Sequence, residues 1–92
     1  MVTIKVRILK EDGTLADVPV RLHCSFNGNF KINPSPVPTE HISEYEIETD
    51  ATTCTLKVLL GDIEIVSYSG EVKDVDLIIP NEKYEAIRKL LG

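Results

Sequence analysis

The chain has 92 residues, enough for one domain and near the lower limit for a core that stands alone. Fifteen acidic against ten basic residues leave a net charge of −5, which argues against nucleic acid and anionic membrane surfaces, since both reward a basic face. An apolar share of 42% excludes bulk disorder, and 5% aromatics with no Trp demand an aliphatic core of Val, Ile and Leu.

Val2, Ile4, Val6 and Ile8 alternate with Thr3, Lys5 and Arg7. Period two sends successive side chains to opposite faces, so a first strand over 2–9 has one face for burial and one for water. Lys10-Glu11-Asp12-Gly13-Thr14 is turn chemistry, with Gly13 free to take a positive φ. Val18, Val20, Leu22, Cys24 and Phe26 then alternate with Pro19, Arg21, His23 and Ser25, so the pattern predicts a second strand over 18–26 in a hairpin with the first. Asn27-Gly28-Asn29 breaks that strand, and Phe30 and Ile32 start a short third one.

Residues 33–39 place prolines at every second position, which removes backbone donors and forbids a central strand. A Pro-x-x-Pro recognition segment is spaced differently, so the stretch reads as a rigid connector between sheets. The fourth strand, about 43–48, alternates Glu44, Glu46 and Glu48 with Tyr45 and Ile47. Cys54, Leu56, Val58 and Leu60 mark the fifth, Gly61-Asp62 signals a hairpin, and Ile63 and Ile65 open the return. The phase slips near Val66-Ser67-Tyr68, the sign of a bulge, before Ser69-Gly70. Val75, Leu77 and Ile79 point inward from the last strand, and Pro80 closes the sheet. Asn81 suits an N-cap, Glu82 and Lys89 suit the two ends of a helix dipole, and Tyr84, Ile87 and Leu91 share a face. A helix over about 82–91 follows, too short to persist undocked.

Seven short strands imply two packed sheets, because one sheet alone leaves a large apolar face wet. The expected fold is all-β, a seven-strand immunoglobulin-like or transthyretin-like antiparallel sandwich over 1–80. A C-terminal helix over 81–92 packs on it or on a partner.

The stretch from Val2 to Arg7, the Asp12-Gly13 turn and Val18-Pro19-Val20-Arg21-Leu22 resemble the opening of carboxypeptidase-regulatory-like and collagen-adhesin B-type domains. Thr49-Asp50-Ala51 before Thr55-Leu56-Lys57-Val58 is similar to their middle stretch, and Val75-Asp76-Leu77-Ile78-Ile79 to their closing strand. Their Gly and aromatic after Thr-Asp are replaced here, with Thr53 and Cys54 near those places. The resemblance implies a transthyretin-like sandwich and an accessory role as spacer, stalk or docking surface. It also raises the internal Lys–Asn isopeptide bond some of these domains form, with Lys10 and Asn81 as the pair. No acidic catalyst can be placed, and a helix cap suits Asn81 better.

Chemistry-bearing residues are sparse. His23, Cys24, His41 and Cys54 are the His and Cys residues, and strand alternation drives His23 and Cys24 to opposite faces, so neither a metal nor a nucleophile–base pair is expected. No cofactor is implied. Cys24 and Cys54 both fall on inward phases. A disulfide there closes a loop of about thirty residues and adds roughly 3–4 kcal/mol, and the alternative is two buried thiols. The chain as written carries no signal-peptide pattern, which favours thiols and a cytoplasmic setting. The comb of Glu40, Glu44, Glu46, Glu48 and Asp50 reads as a solvated strand face more readily than as a site for calcium or a basic partner.

These readings converge on a non-enzymatic structural or protein-interaction module with a protein partner and neither nucleic acid nor membrane. A homodimer through a sheet edge or the C-terminal helix is one form of it. Leu59 and Ile78, apolar on outward phases, and Tyr68 and Tyr84 are the candidate partner surface. The alternative is an extracellular carbohydrate-binding or adhesion module stacking a sugar on Tyr68 or Tyr84.

Overall fold

The structure is a computed structural model that describes residues 1–33 and 42–91. The proline-rich segment from residue 34, with Glu40 and His41, lies outside the described residues. The strands are β1 (Val2–Lys10), β2 (Arg21–Phe26), β3 (Phe30–Asn33), β4 (Glu44–Thr49), β5 (Thr53–Leu60), β6 (Ile63–Glu71) and β7 (Val75–Ile79), followed by helix α1 (Asn81–Leu91). They form a four-stranded sheet, β3-β4-β1-β7, and a three-stranded sheet, β2-β5-β6, packed as a sandwich.

The expected hairpin between the first two strands does not form, because β1 and β2 belong to different sheets. The Asp12-Gly13 turn is present. Lys10 N–H donates to Thr14 O at 2.8 Å, Thr14 N–H and Oγ1 donate to Asp12 Oδ1 at 2.9 and 2.6 Å, and Gly13 has φ 87°. Pairing goes no further than a bridge between Leu9 and Leu15 and a bond from Ala16 N–H to Ile8 O at 2.9 Å. Pro19 has no N–H to offer a ladder, and it sits at the centre of a tight turn in which Val20 N–H donates to Val18 O at 2.8 Å. Val18 and Val20, 1% and 2% exposed, are buried in the core where the chain crosses between sheets. The second strand therefore begins at Arg21, three residues later than the alternation predicts.

A second difference concerns strand direction. β1 runs antiparallel to β4, from Val2 opposite Thr49 to Arg7 opposite Glu44, but parallel to β7, from Val6 opposite Val75 to Lys10 opposite Ile79. Parallel neighbours need a long crossover between them. Here every other strand supplies it.

The β5–β6 hairpin turns at Gly61, φ 61°. Its register shifts by one between Val58 opposite Val66 and Leu59 opposite Glu64, leaving Ile65 as the extra residue. The bulge thus sits one residue before the predicted break, and β6 stays paired through Ser69-Gly70 to Glu71. The core is aliphatic, with Val6, Ile8, Ile47, Leu56, Val58 and Ile79 fully enclosed. The buried hydroxyls are satisfied: Ser43 Oγ donates to Ala16 O, and Thr49 Oγ1 donates to Asn29 O at 2.6 Å.

Helix α1 follows β7 after Pro80 and packs on the sandwich through Tyr84 and Ile87. Tyr84 N–H donates to Pro80 O at 2.9 Å, so Pro80 opens the helix and the predicted cap, Asn81, is already in its first turn. Its N–H is received instead by the carboxylate of Glu11, from the β1 turn. The helix docks by burying Tyr84 and Ile87 in the core cluster, each worth roughly 1.5–3 kcal/mol in area terms. Lys83 Nζ also donates to Ile65 O at 2.7 Å, occupying the carbonyl of the bulge residue.

Candidate interaction surface

Alternation on β1, β3, β4 and β7 turns Lys5, Arg7, Lys31, Glu44, Glu46, Glu48 and Asp76 to the outer face of the four-stranded sheet. Register sets opposite charges side by side: Lys5 faces Glu46, Arg7 lies between Glu44 and Asp76, and Lys31 faces Glu48. Arg7 Nε and Nη2 grip both Asp76 oxygens at 2.9 Å in a fork geometry. That bond holds the Asp76 carboxyl below its ordinary range and raises the Arg7 guanidinium. The acidic comb of β4 is thus flanked by the protein's own cations. Asp50 leaves the comb altogether, since its carboxylate receives Asn29 N–H at 2.8 Å.

The outer face of the three-stranded sheet carries Arg21, His23 and Ser25 beside Thr55, Lys57 and Leu59, then Glu64, Ser67 and Ser69. Lys57 Nζ lies 3.7 Å from Glu64, and the Thr55 and Ser69 hydroxyls are 3.1 Å apart. His23 points outward while Cys24 packs against the core, so the two do not converge. Cys24 and Cys54 are free thiols at diagonal positions of neighbouring strands, opposite Leu56 and Phe26. Burial, with Cys54 adding to it, pushes the Cys24 thiol up to about 12.

The four residues singled out as a partner surface are not brought together. Leu59 is half-buried on one outer sheet face, between Arg21 and Glu64 in register. Ile78 is 47% exposed on the other sheet, opposite the buried Leu9. Tyr68 packs against the core. Its hydroxyl donates to Glu71 O at 2.6 Å, and Lys73 Nζ stands 6.0 Å over its ring. Tyr84 is buried, its hydroxyl donates to Asp17, and Lys10 Nζ lies over its ring at 5.2 Å. That contact also directs Lys10, posed as an isopeptide lysine, to the Tyr84 ring.

A different surface emerges where α1 meets the β5–β6 hairpin. Leu60, Ile63, Ile65, Ala86, Ile87 and Leu90 line an open groove of about 220 Å³, with Glu64 and Lys83 at its margin. Ile63 is 60% exposed and Leu90 73%. Ile65, the extra residue of the bulge, is buried, whereas Ile63, paired with Leu60 beside the turn, stays exposed. A signal was present in the sequence: Leu60 and Ile63 bracket a Gly-Asp turn where polar residues are usual, and Leu90 lies beside the Tyr84/Ile87/Leu91 face. What hid it was the unknown position of the helix.

No protein-family model, no curated protein and no solved structure matches this chain. Among the described residues, no helix is long and apolar enough to cross a membrane, and no group of three His, Cys, Asp or Glu is placed to hold a metal ion.

Proposed function

We propose that the chain works as a non-enzymatic protein-interaction or structural module, an accessory domain or small subunit of a larger assembly. The observation that carries this reading is the α1–hairpin groove. Exposed apolar side chains gather there, while the outer face of the four-stranded sheet is covered by matched charges. Contiguous exposed apolar surface costs solubility and is characteristic of interaction sites. The resemblance of β1, the Asp12-Gly13 turn and β7 to carboxypeptidase-regulatory-like and collagen-adhesin B-type domains supports the same role, since those domains serve mainly as spacers and docking surfaces.

The test is affinity capture with quantitative mass spectrometry, using the native chain and an Ile63→Asp/Leu90→Asp variant as parallel baits. Both side chains are largely exposed, so the variant keeps the fold. The reading predicts a partner enriched on the native bait, lost from the variant, and bound again when purified. Enrichment only of proteins indifferent to the double substitution, or of nothing by a chain that also fails to self-associate through the groove, refutes it.

A further inference from the structure

We infer that the groove is an isologous interface whose occupant is a second copy of this chain, docked with the two α1 helices antiparallel; this rests on the interaction-module reading. The argument comes from the charge order of the exposed face of α1. At 100° per residue, Glu82 and Lys89 differ by only about 20° around the axis and stand about 10 Å apart along it. They form one rim of the face that carries Ala86 and Leu90. Ala86 lies midway between them. Both are exposed, and among the described residues neither forms an ion pair within the protomer.

A two-fold axis through Ala86 reverses one helix against the other. Each Glu82 then meets Lys89 of the second copy, and the contact is made twice, as isologous symmetry requires. A parallel two-fold pair puts the two rims on opposite sides of the contact, so Glu82 and Lys89 of the two copies do not meet and the ion pairs are not made. The methyl group of Ala86 at the crossing lets the backbones approach, and Leu90 of each copy is covered by the other. Lys83 does not interfere, because its ammonium is held by Ile65 O at 2.7 Å. The macrodipoles also lie side by side and antiparallel in this pairing, which is favourable.

A contact of one three-turn helix and a hairpin tip falls at the small end of specific interfaces, so the association is weak. Sedimentation velocity of the purified full chain, from about 10 μM to about 1 mM, the micromolar-to-millimolar range of weak association, tests it. The expected result is a reversible monomer–dimer equilibrium, weakened tenfold or more by Leu90→Asp and by Glu82→Lys. Glu82→Lys combined with Lys89→Glu restores it, because the double reversal regenerates the intermolecular pairs. Circular dichroism of each variant confirms that its fold is retained.

A monomer throughout the range overturns the inference, as does a dimer indifferent to Leu90→Asp. A dimer that Glu82→Lys disrupts but the double reversal does not restore overturns the antiparallel geometry and the proposal with it. A monomeric chain that still captures a groove-dependent partner would leave the interaction-module reading standing and remove only the second copy as occupant.

Discussion

Whether α1 is part of the domain or an appendage is decided by Ile87. The substitution Ile87→Ala removes three carbons from a site that is 2% exposed within the core cluster. Lost transfer energy at about 0.8 kcal/mol per methylene-sized group comes to about 2.4 kcal/mol, and a residual cavity adds to it. Alanine recovers about 0.4 kcal/mol of helix propensity. The net expectation is a loss of about 2–4 kcal/mol. For a domain of this size that is a large part of the whole stability, and it lowers the melting temperature by about 4–8 °C per kcal/mol. The control lies three residues away: Leu90 is 73% exposed, so Leu90→Ala should stay within about 0.5 kcal/mol. Urea denaturation followed by far-UV circular dichroism reads both, since the chain has no Trp to report by fluorescence. Equal effects of the two substitutions, or a loss under about 1 kcal/mol at Ile87, would refute the docking of α1 on its own sandwich.

Three further outcomes follow from particular contacts. Asp17, bonded by the Tyr84 hydroxyl, and Asp76, bonded by Arg7, both have carboxyl pKa values lowered by folding. Their contribution is therefore complete above the unfolded value near 3.9 and is lost as pH falls through the lower folded values. Melting temperature measured against pH should decline below about pH 4, and less steeply in Asp17→Asn and Asp76→Asn. The thiols of Cys24 and Cys54 should resist a disulfide reagent in the native protein at mild alkaline pH and react fully in denaturant, with Cys24 shifted to about 12; rapid native labelling contradicts their packing. At Gly28, an added Cβ meets Asp50 Oδ1 at 2.6 Å and displaces the carboxylate that receives Asn29 N–H. Gly28→Ala should cost about 1–2 kcal/mol in chemical denaturation, and much less when Asp50 is already Ala, because the two substitutions remove one interaction.

The sequence by itself determined the local elements. Period two at Val2–Ile8, Cys54–Leu60 and Val75–Ile79 marks strands because side-chain direction alternates with each residue, whatever the strand later pairs with. Gly61 at the hairpin is equally local, since its backbone freedom depends on a few neighbouring atoms. Tertiary structure alone decided the partners of those strands. Val18 and Val20 carry the right alternation for a hairpin, yet burying them in the core while Pro19 withholds a donor sends β2 to the opposite sheet. The parallel pairing of β1 with β7 joins the two ends of the chain's strand order, a contact that no sequence window spans. The groove depends on both decisions. Its Leu60 and Ile63 come from one hairpin and its Leu90 from a helix whose position is set by Glu11, Asp17 and Ile65, residues far away in sequence. Periodicity encodes which face of an element is apolar; only packing selects which apolar side chains end up covered and which remain open to a partner.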